Sequence, residues 1–271
     1  MSASLFAAIR NRDRDLSIEY VWINAETLAA PLLVFLHEGL GSVAMWRDFP
    51  AQLCAATGCR GLVYSRPAYG RSTPKPPDER WGPDFLEIQA LEVLPAFLAA
   101  VGVDLQRERV ILFGHSDGGS IALIHAAHFG SQLTGIIVLA PHIRVEPISI
   151  TSIERARVTY ETTDFQTKLA RFHDDVESAF RGWNDVWLDQ RFKAWSIEAL
   201  LPRIACPVLA VQGVDDEYGT MAQIDGIAAA APKVELLKLD ACGHSPHRDQ
   251  PERVTAAIIS WLAKLQPSIR S

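Results

Sequence analysis

The sequence predicts an α/β fold, in which a mostly parallel central sheet has helices on both faces and carries one helical cap insertion. Three observations support this prediction. Short apolar runs that suit buried strands alternate along the chain with longer stretches whose apolar residues recur at helical spacing. Several of the apolar runs end in glycine-bearing turns. The alternation stops once, between residues 143 and 203, and then resumes. Strands that alternate with helices are joined by right-handed crossovers and therefore form a mostly parallel sheet.

The strands are predicted from their aliphatic and β-branched composition. Residues 16–24 alternate in part and include aromatic side chains, which is typical of an outer strand. Residues 32–37 are apolar up to His37, which favours a central strand that is buried on both faces. Further strands are predicted at residues 61–64, 110–113, 135–140, 208–212 and 234–239. In such a sheet the chemistry lies beyond the carboxyl ends of the strands, so the residues that follow these runs are the functional candidates.

The helices are predicted from apolar spacing and from the residues that begin or end them. One helix starts at Asp84 or Asp78 and continues to Val101, because apolar residues recur there every three or four positions. Pro251 suits the first turn of the last helix, residues 251–265. The other helices are predicted at residues 45–57, directly after the turn at residues 115–117, and at residues 148–161, 164–173, 175–188 and 221–230.

The predicted domain organisation is a core domain of residues 1–142 and 204–271 with a helical cap insertion at residues 143–203. The insertion is rich in tryptophan and phenylalanine. We expect most of these rings to hold the insertion together and a minority to line an apolar pocket above the sheet. Trp183 and Trp187 are the candidates for the pocket.

Composition limits the classes of partner. The 271 residues are 48% apolar and 21% charged, as in a soluble globular protein, and the formal net charge is -6. Nucleic acids and anionic membranes require a clustered basic surface, so neither is expected as a partner. Residues 1–12 lack the pattern of a secretory signal, and no stretch reaches the roughly 18 apolar residues of a membrane span, so a cytoplasmic location is expected. The four cysteines are too scattered for a zinc ribbon or a disulfide framework and are expected to be buried free thiols.

The most informative motif is the Gly-x-Ser-x-Gly pattern formed by Gly114, Ser116 and Gly118. It follows a buried strand and precedes an apolar helix, so Ser116 is predicted to lie on a sharp strand-to-helix turn. Glycine is needed on either side of the serine because the backbone is strained at the serine and because the backbone of other segments passes close by. Such a turn presents a serine hydroxyl as a nucleophile.

A serine hydroxyl is a weak nucleophile, and it needs an imidazole base that is oriented by a carboxylate. Asp216 follows one predicted strand in a Gly-x-x-Asp turn, and His244 follows the next in a Cys-Gly-His turn. The order Ser116, Asp216, His244 and these strand-end positions resemble the α/β-hydrolase superfamily. The resemblance covers about residues 16–265 and implies a catalytic triad of these three residues. His247 and Asp215 are the competing assignments for the base and the acid.

The resemblance also implies an oxyanion hole made of two backbone N–H groups. Asp117, the residue after the nucleophile, supplies one of them. The other comes from a loop that reads His-Gly-Gly-Pro-Gly in many relatives and His-Glu-Gly-Leu-Gly at residues 37–41 here, which makes Gly39 the donor. Glu38 replaces a glycine and places a carboxylate near the mouth of the site. His37 is expected to support this loop by hydrogen bonding.

Other polar residues receive structural interpretations. Residues 65–72 depart from the Asp-x-Arg-Gly-x-Gly-x-Ser pattern of relatives, because the usual aspartate and arginine are absent, and no role is assigned to them. His125 and His128 have the spacing of neighbours on one helix face, but no acidic or cysteine ligand accompanies them, so packing is expected rather than a metal site. The carboxylate of Asp117 is favoured by its position at a helix N-terminus.

The resemblance implies a serine hydrolase that is most similar to carboxylic ester hydrolases, with a small-molecule ester as its substrate and no metal or organic cofactor. Lactonases, carbon–carbon hydrolases of ring-cleavage products and cofactor-free haloperoxidases share the triad, so these alternatives stay open. Haloalkane dehalogenases and epoxide hydrolases carry aspartate at the position of Ser116 and are disfavoured. An alternative of another class is a ligand sensor that keeps the fold and turns over slowly. The sequence makes no prediction of the oligomeric state.

Overall fold

The computed structural model describes residues 4–265, in which eight strands form one sheet. The strands are β1 (Leu5–Asn11), β2 (Arg14–Ile23), β3 (Leu32–Leu36), β4 (Arg60–Tyr64), β5 (Val110–His115), β6 (Gly135–Leu139), β7 (Val208–Gly213) and β8 (Val234–Leu239). Their order across the sheet is β1-β2-β4-β3-β5-β6-β7-β8. β1 pairs antiparallel with β2, and β2 pairs antiparallel with β4, whereas the six strands from β3 to β8 are parallel to one another. The predicted mostly parallel sheet is therefore confirmed.

β1 is the one strand that the sequence does not predict. Of its seven residues only Ala7 and Ile9 are buried, so its apolar pattern is weak. The strand is placed by its partner, because a tight connection through Arg12, whose φ is +52°, pairs it with β2. Tertiary pairing thus decides the structure of this segment.

Helices cover both faces of the sheet, as predicted. They are α1 (Phe49–Thr57), α2 (Phe85–Ile88), α3 (Leu94–Ala100), α4 (Asp117–Phe129), α5 (Pro147–Thr162), α6 (Phe165–Leu169), α7 (Val176–Trp187), α8 (Ala222–Ala230), α9 (Pro246–Asp249) and α10 (Pro251–Leu265). A π-helical turn, Gln89–Val93, joins α2 to α3, so the segment from Phe85 to Ala100 is continuously helical. Among residues 4–265 there is no helix of the length and apolar character needed to cross a membrane.

Three predicted segments differ in the structure, and one of them is α6, which ends at Leu169 rather than at residue 173. α1 begins at Phe49 rather than near residue 45, because a 3₁₀ turn at Ala44–Trp46 ends in Arg47 with a φ of +53°. α9 is not among the helices that the sequence predicts, and Pro246 occupies its first turn. All three differences concern segments of about one turn, for which apolar periodicity gives little signal.

The sheet separates two apolar clusters. Alternate residues of β3 point to opposite sides: Leu33 and Phe35 pack with α1 and α10, and Val34 packs with α3 and α4. The cluster that contains Val34 also contains Trp183 and Trp187. The helices between β6 and β7 therefore pack against this face of the sheet. Because β3, β5, β7 and β8 are parallel, the residues that follow them meet at one edge. The candidate site is built at that edge.

Candidate active site

Ser116 lies at the joint between β5 and α4 with a φ of +53° and a ψ of −119°. A positive φ is uncommon for a residue that has a β-carbon and costs about 1–3 kcal/mol, which the surrounding packing must offset. A β-carbon at Gly114 would lie 2.2 Å from the carbonyl oxygen of Gly118, and one at Gly118 would lie 2.0 Å from that of Leu36. The two glycines are therefore required by close backbone contacts. The serine side chain is left at the tip of the turn.

Ser116, His244 and Asp216 form one hydrogen-bonded chain. Ser116 Oγ lies 2.9 Å from His244 Nε2, and His244 Nδ1 lies 2.8 Å from Asp216 Oδ1. An ionised carboxylate only accepts hydrogen bonds, so Nδ1 donates to it. In the neutral ring Nε2 is then free to accept the serine proton. This arrangement is chemically suited to activating the hydroxyl.

Asp216 is held by more than the histidine. The N–H of Tyr218 donates to its Oδ1 at 2.8 Å, and Gln212 Nε2 donates to its Oδ2 at 3.2 Å. Burial by itself raises the pKa of Asp216, but the hydrogen bond and charge of His244 outweigh burial and hold this pKa below its usual value. Asp216 is therefore ionised at neutral pH and fixed in orientation.

The competing residues lie elsewhere. Asp215 is exposed, and its side chain makes no hydrogen bond within residues 4–265. His247 is buried on the first turn of α9, where its ring packs 5.1 Å from Trp46 and 5.3 Å from Phe49 between centroids. Burial and the charge of His115 lower the pKa of His247 well below the usual value. His247 is thus a core residue in this structure.

Two backbone N–H groups are available near Ser116. In the part of the chain that the structure describes, neither Gly39 nor Asp117 uses its N–H in a hydrogen bond. A β-carbon at Gly39 would lie 2.2 Å from Trp183 Nε1, whereas its φ lies outside the left-handed region. Glycine is therefore needed at this position because an indole ring packs against it. An oxyanion hole requires free donors of this kind.

His37 and Arg66 hold the loop that contains Gly39. His37 Nδ1 donates to the carbonyl of Glu38 at 2.7 Å, and His37 Nε2 accepts from the N–H of Arg66 at 3.0 Å. The Arg66 guanidinium donates to the same Glu38 carbonyl at 2.9 Å. Burial and the charge of Arg66 hold the pKa of His37 well below its usual value, so the ring stays neutral. Residues 65–72, to which the sequence assigns no role, thus support the candidate oxyanion loop.

The carboxylate of Asp117 lies at the N-terminus of α4 and also contacts Trp187 and Arg66. It is buried, its Oδ1 accepts a hydrogen bond from Trp187 Nε1 at 3.1 Å, and its Oδ2 lies 3.6 Å from the Arg66 guanidinium. Burial raises the pKa of Asp117, and the charge of Arg66 opposes this change. Asp117 therefore connects the turn at Ser116 to α7 of the insertion.

A small cavity opens at Ser116. Its volume is about 110 Å³, which is below the roughly 300–1,000 Å³ of most ligand pockets. The residues that line it are Glu38, Gly39, Leu40, His115, Ser116, Asp117, His142, Ile153, Trp183, Trp187, Tyr218, His244 and Ser245. Both predicted pocket residues of the insertion are among them. Burial lowers the pKa of His142 to about 3, so this ring is neutral in the cavity wall.

The remaining candidates are structural. All four cysteines are buried and unpaired. His125 is buried on α4, where its Nδ1 donates to the carbonyl of Ala90 at 2.8 Å. Among residues 4–265, no group of three or more histidine, cysteine, aspartate or glutamate side chains is arranged to hold a metal ion.

Three side chains that support the site are not predicted from the sequence, and the first is Arg66. The second is His173, whose Nε2 donates to the carbonyl of Leu40 at 2.9 Å. The third is His115, whose Nε2 lies 2.7 Å from the carbonyl of His244. His173 belongs to the insertion and its partner to the candidate oxyanion loop. No local signal marks these residues, because their partners lie far away along the chain.

The chain is similar to known proteins of one family. The model of the Alpha/beta hydrolase family matches residues 33–257. Serine hydrolase BPHL of Homo sapiens is 28% identical over 205 residues, which cover 71% of this chain and 60% of that protein. The chain spans about 60% of the length of the curated relatives that it matches.

Two solved structures share the fold over nearly the whole chain. A thermophilic esterase from Thermogutta terrifontis has a TM-score of 0.73 at 20% identity, with 98% of this chain and 100% of the esterase covered. The enol-lactonase from Burkholderia xenovorans LB400 has a TM-score of 0.72 at 19% identity, with 96% and 100% covered. At these identities the likeness concerns the fold.

Proposed function

The chain belongs to the α/β-hydrolase family, and we propose that it is a serine hydrolase that cleaves a small carboxylic ester through an acyl-enzyme. The observation that supports this function most directly is the hydrogen-bonded chain from Ser116 through His244 to Asp216 at the wall of the cavity. A triad is recognised by such geometry and by the role that each group can play.

In the proposed cycle Ser116 Oγ attacks the ester carbonyl while His244 Nε2 takes its proton. The N–H groups of Gly39 and Asp117 stabilise the oxyanion of the tetrahedral intermediate. His244 then gives the proton to the leaving alcohol, and the carbonyl re-forms as an acyl-Ser116 ester. Water, deprotonated by His244, attacks this ester, and the acid product leaves as Ser116 regains its proton.

The cavity volume supports a small substrate. At about 110 Å³ the space suits a short acyl group better than the extended product of an aromatic ring cleavage. A small lactone is a cyclic ester and fits the same proposal, which agrees with the shared fold of the enol-lactonase. We propose that residues 143–203 form the cap that limits this space, with Trp183 and Trp187 as its contribution to the pocket.

The test uses the purified protein with a fluorophosphonate probe and p-nitrophenyl acetate. We expect the probe to label Ser116 and the ester to be turned over many times per molecule. A panel of short esters, lactones and ring-cleavage acids then identifies the preferred class. Absence of labelling at neutral pH would exclude a serine hydrolase, and labelling followed by a single turnover would favour the sensor alternative.

The substitution Asp216→Asn is expected to lower kcat by about 10⁴-fold. The amide keeps the shape of the side chain but offers its NH₂ group or a weaker acceptor to His244 Nδ1, so the ring loses its productive tautomer. Asp215→Asn is the matched control, since Asp215 is the exposed neighbour. Steady-state hydrolysis of p-nitrophenyl acetate measures both variants. Equal losses in the two would contradict the assignment of the acid.

The substitution Trp183→Leu is expected to widen the range of acyl chains. The indole lies against Gly39 and lines the cavity, so a smaller side chain makes room beside Ser116. We expect the kcat/KM ratio of p-nitrophenyl hexanoate to acetate to rise about tenfold or more. Trp195→Leu is the control, because Trp195 is a buried tryptophan of the same insertion outside the cavity. The prediction fails if both variants leave the ratio unchanged.

A further inference from the structure

The side chain of His115 joins the strand that precedes Ser116 to the loop that carries His244. His115 is the last residue of β5 and is 1% exposed. Its Nε2 lies 2.7 Å from the carbonyl oxygen of His244. A carbonyl oxygen only accepts hydrogen bonds, so Nε2 carries the hydrogen and donates it. One buried side chain therefore ties the backbone of the proposed base to the residue before the nucleophile.

Other hydrogen bonds also hold the loop of His244, between β8 and α9; one of them joins the N–H of Asp215 to the carbonyl of Cys242 at 3.0 Å. The N–H of Gly243 donates to Asp249 Oδ2 at 2.8 Å, and the N–H of His244 donates to Glu217 Oε2 at 3.2 Å. Both carboxylates are on exposed residues. Within residues 4–265, His115 is the one group that donates to the carbonyl of His244. The donor side chain of this hydrogen bond is buried, which partly shields the bond from competing water.

Glu38 faces the other ring nitrogen of His115. Glu38 Oε2 lies 3.6 Å from His115 Nδ1, and its Oε1 lies 3.5 Å from the guanidinium of Arg248. A β-carbon at Gly41 would lie 2.4 Å from Glu38 Oε2, so that glycine leaves room for the carboxylate. Burial alone opposes ionisation of Glu38, but His115 and Arg248 outweigh it and hold the pKa of Glu38 well below its usual value. An anion therefore stands beside His115.

We propose that His115 is a positioning residue, which holds the backbone of His244 so that His244 Nε2 stays within reach of Ser116 Oγ. This inference rests on the proposed hydrolysis. A displacement of about 1 Å at a reacting group lowers the rate about 100-fold, so the loss of one hydrogen bond that positions this loop is expected to have a large effect.

The experiment compares His115→Phe with His115→Gln. Phenylalanine keeps a ring against Trp46 and His247 but removes the donor, whereas the glutamine amide reaches the place of Nε2 and restores it. We expect His115→Phe to lower kcat about 10- to 100-fold with KM changed less than about twofold, and His115→Gln to recover most of the loss. His125→Phe is the matched control, because it removes another buried histidine that donates to a carbonyl, away from the cavity.

The rate of fluorophosphonate labelling and the melting temperature are measured on the same proteins. We expect the labelling rate to fall with kcat in His115→Phe at a melting temperature close to that of the wild type. Equal activity of His115→Phe and wild type, or equal losses in the phenylalanine and glutamine variants, would overturn the proposal. A wild-type protein that is not labelled at all would instead overturn the proposed hydrolase function.

Discussion

Replacing Ser116 with alanine is expected to lower kcat for p-nitrophenyl acetate by about 10⁶-fold. The proposed reaction forms its covalent bond at Ser116 Oγ, and the alanine side chain offers His244 no hydroxyl to deprotonate. The free N–H groups of Gly39 and Asp117 are left intact, so a slow residual reaction with water remains possible. Stopped assays over hours, with the enzyme at micromolar concentration, measure a rate of this size.

The Ser116→Ala protein is expected to stay folded. Alanine keeps the β-carbon and therefore the backbone strain of the φ of +53°, and the variant loses one partly buried hydrogen bond, which is worth about 1 kcal/mol. Circular dichroism and thermal melting provide the control. Retention of more than about 1% of wild-type activity in a folded Ser116→Ala protein would rule out an acyl-enzyme on this residue.

The parts of the fold that the sequence predicts are those with a strong local signal. The parallel strands consist mainly of apolar residues, and five of the six are buried along their whole length. β1 buries only Ala7 and Ile9, and α9 is a single turn, so neither has a pattern that distinguishes it from a loop. These segments take their structure from what they pack against.

The same distinction applies to the candidate site. Ser116, Asp216 and His244 each follow a strand in a recognisable turn, so the sequence predicts that they lie near one another, and the structure brings them within hydrogen-bonding distance. The choice between neighbours depends on burial: Asp215 is exposed, and His247 is enclosed by aromatic rings. A sequence pattern contains only part of that information.

The supporting contacts lie beyond sequence reasoning for a physical reason. His173 reaches a carbonyl 133 positions away, and His115 reaches one 129 positions away. Each contact depends on the relative placement of two elements to within an ångström, whereas turn motifs depend on a few adjacent residues. Glu38 is instructive, because the sequence reveals it as a departure from relatives but the three-dimensional structure shows what it faces.

His244→Ala is expected to lower kcat by about 10⁶-fold, a loss about as large as that of Ser116→Ala. Without the imidazole, no group takes the proton of Ser116 during attack or returns one to the leaving alcohol. The double variant with Ser116→Ala is expected to be no worse than either single variant, because the two residues act as one unit. Steady-state hydrolysis and the rate of fluorophosphonate labelling measure these losses.

His247→Ala is the matched control for that variant, since it removes a second histidine only three residues later in the chain. Its ring packs against Trp46, Phe49 and His115, with a centroid distance of 4.8 Å to the last. We expect a lower melting temperature, because the alanine leaves a cavity in the core, and a kcat at least 10³-fold above that of His244→Ala. Similar kinetic losses in the two variants, or a His244→Ala protein that keeps its activity, would reverse the assignment of the base. The comparison distinguishes a catalytic role from a packing role. Of these two histidines, His244 is within reach of Ser116 Oγ, and His247 is enclosed in the core.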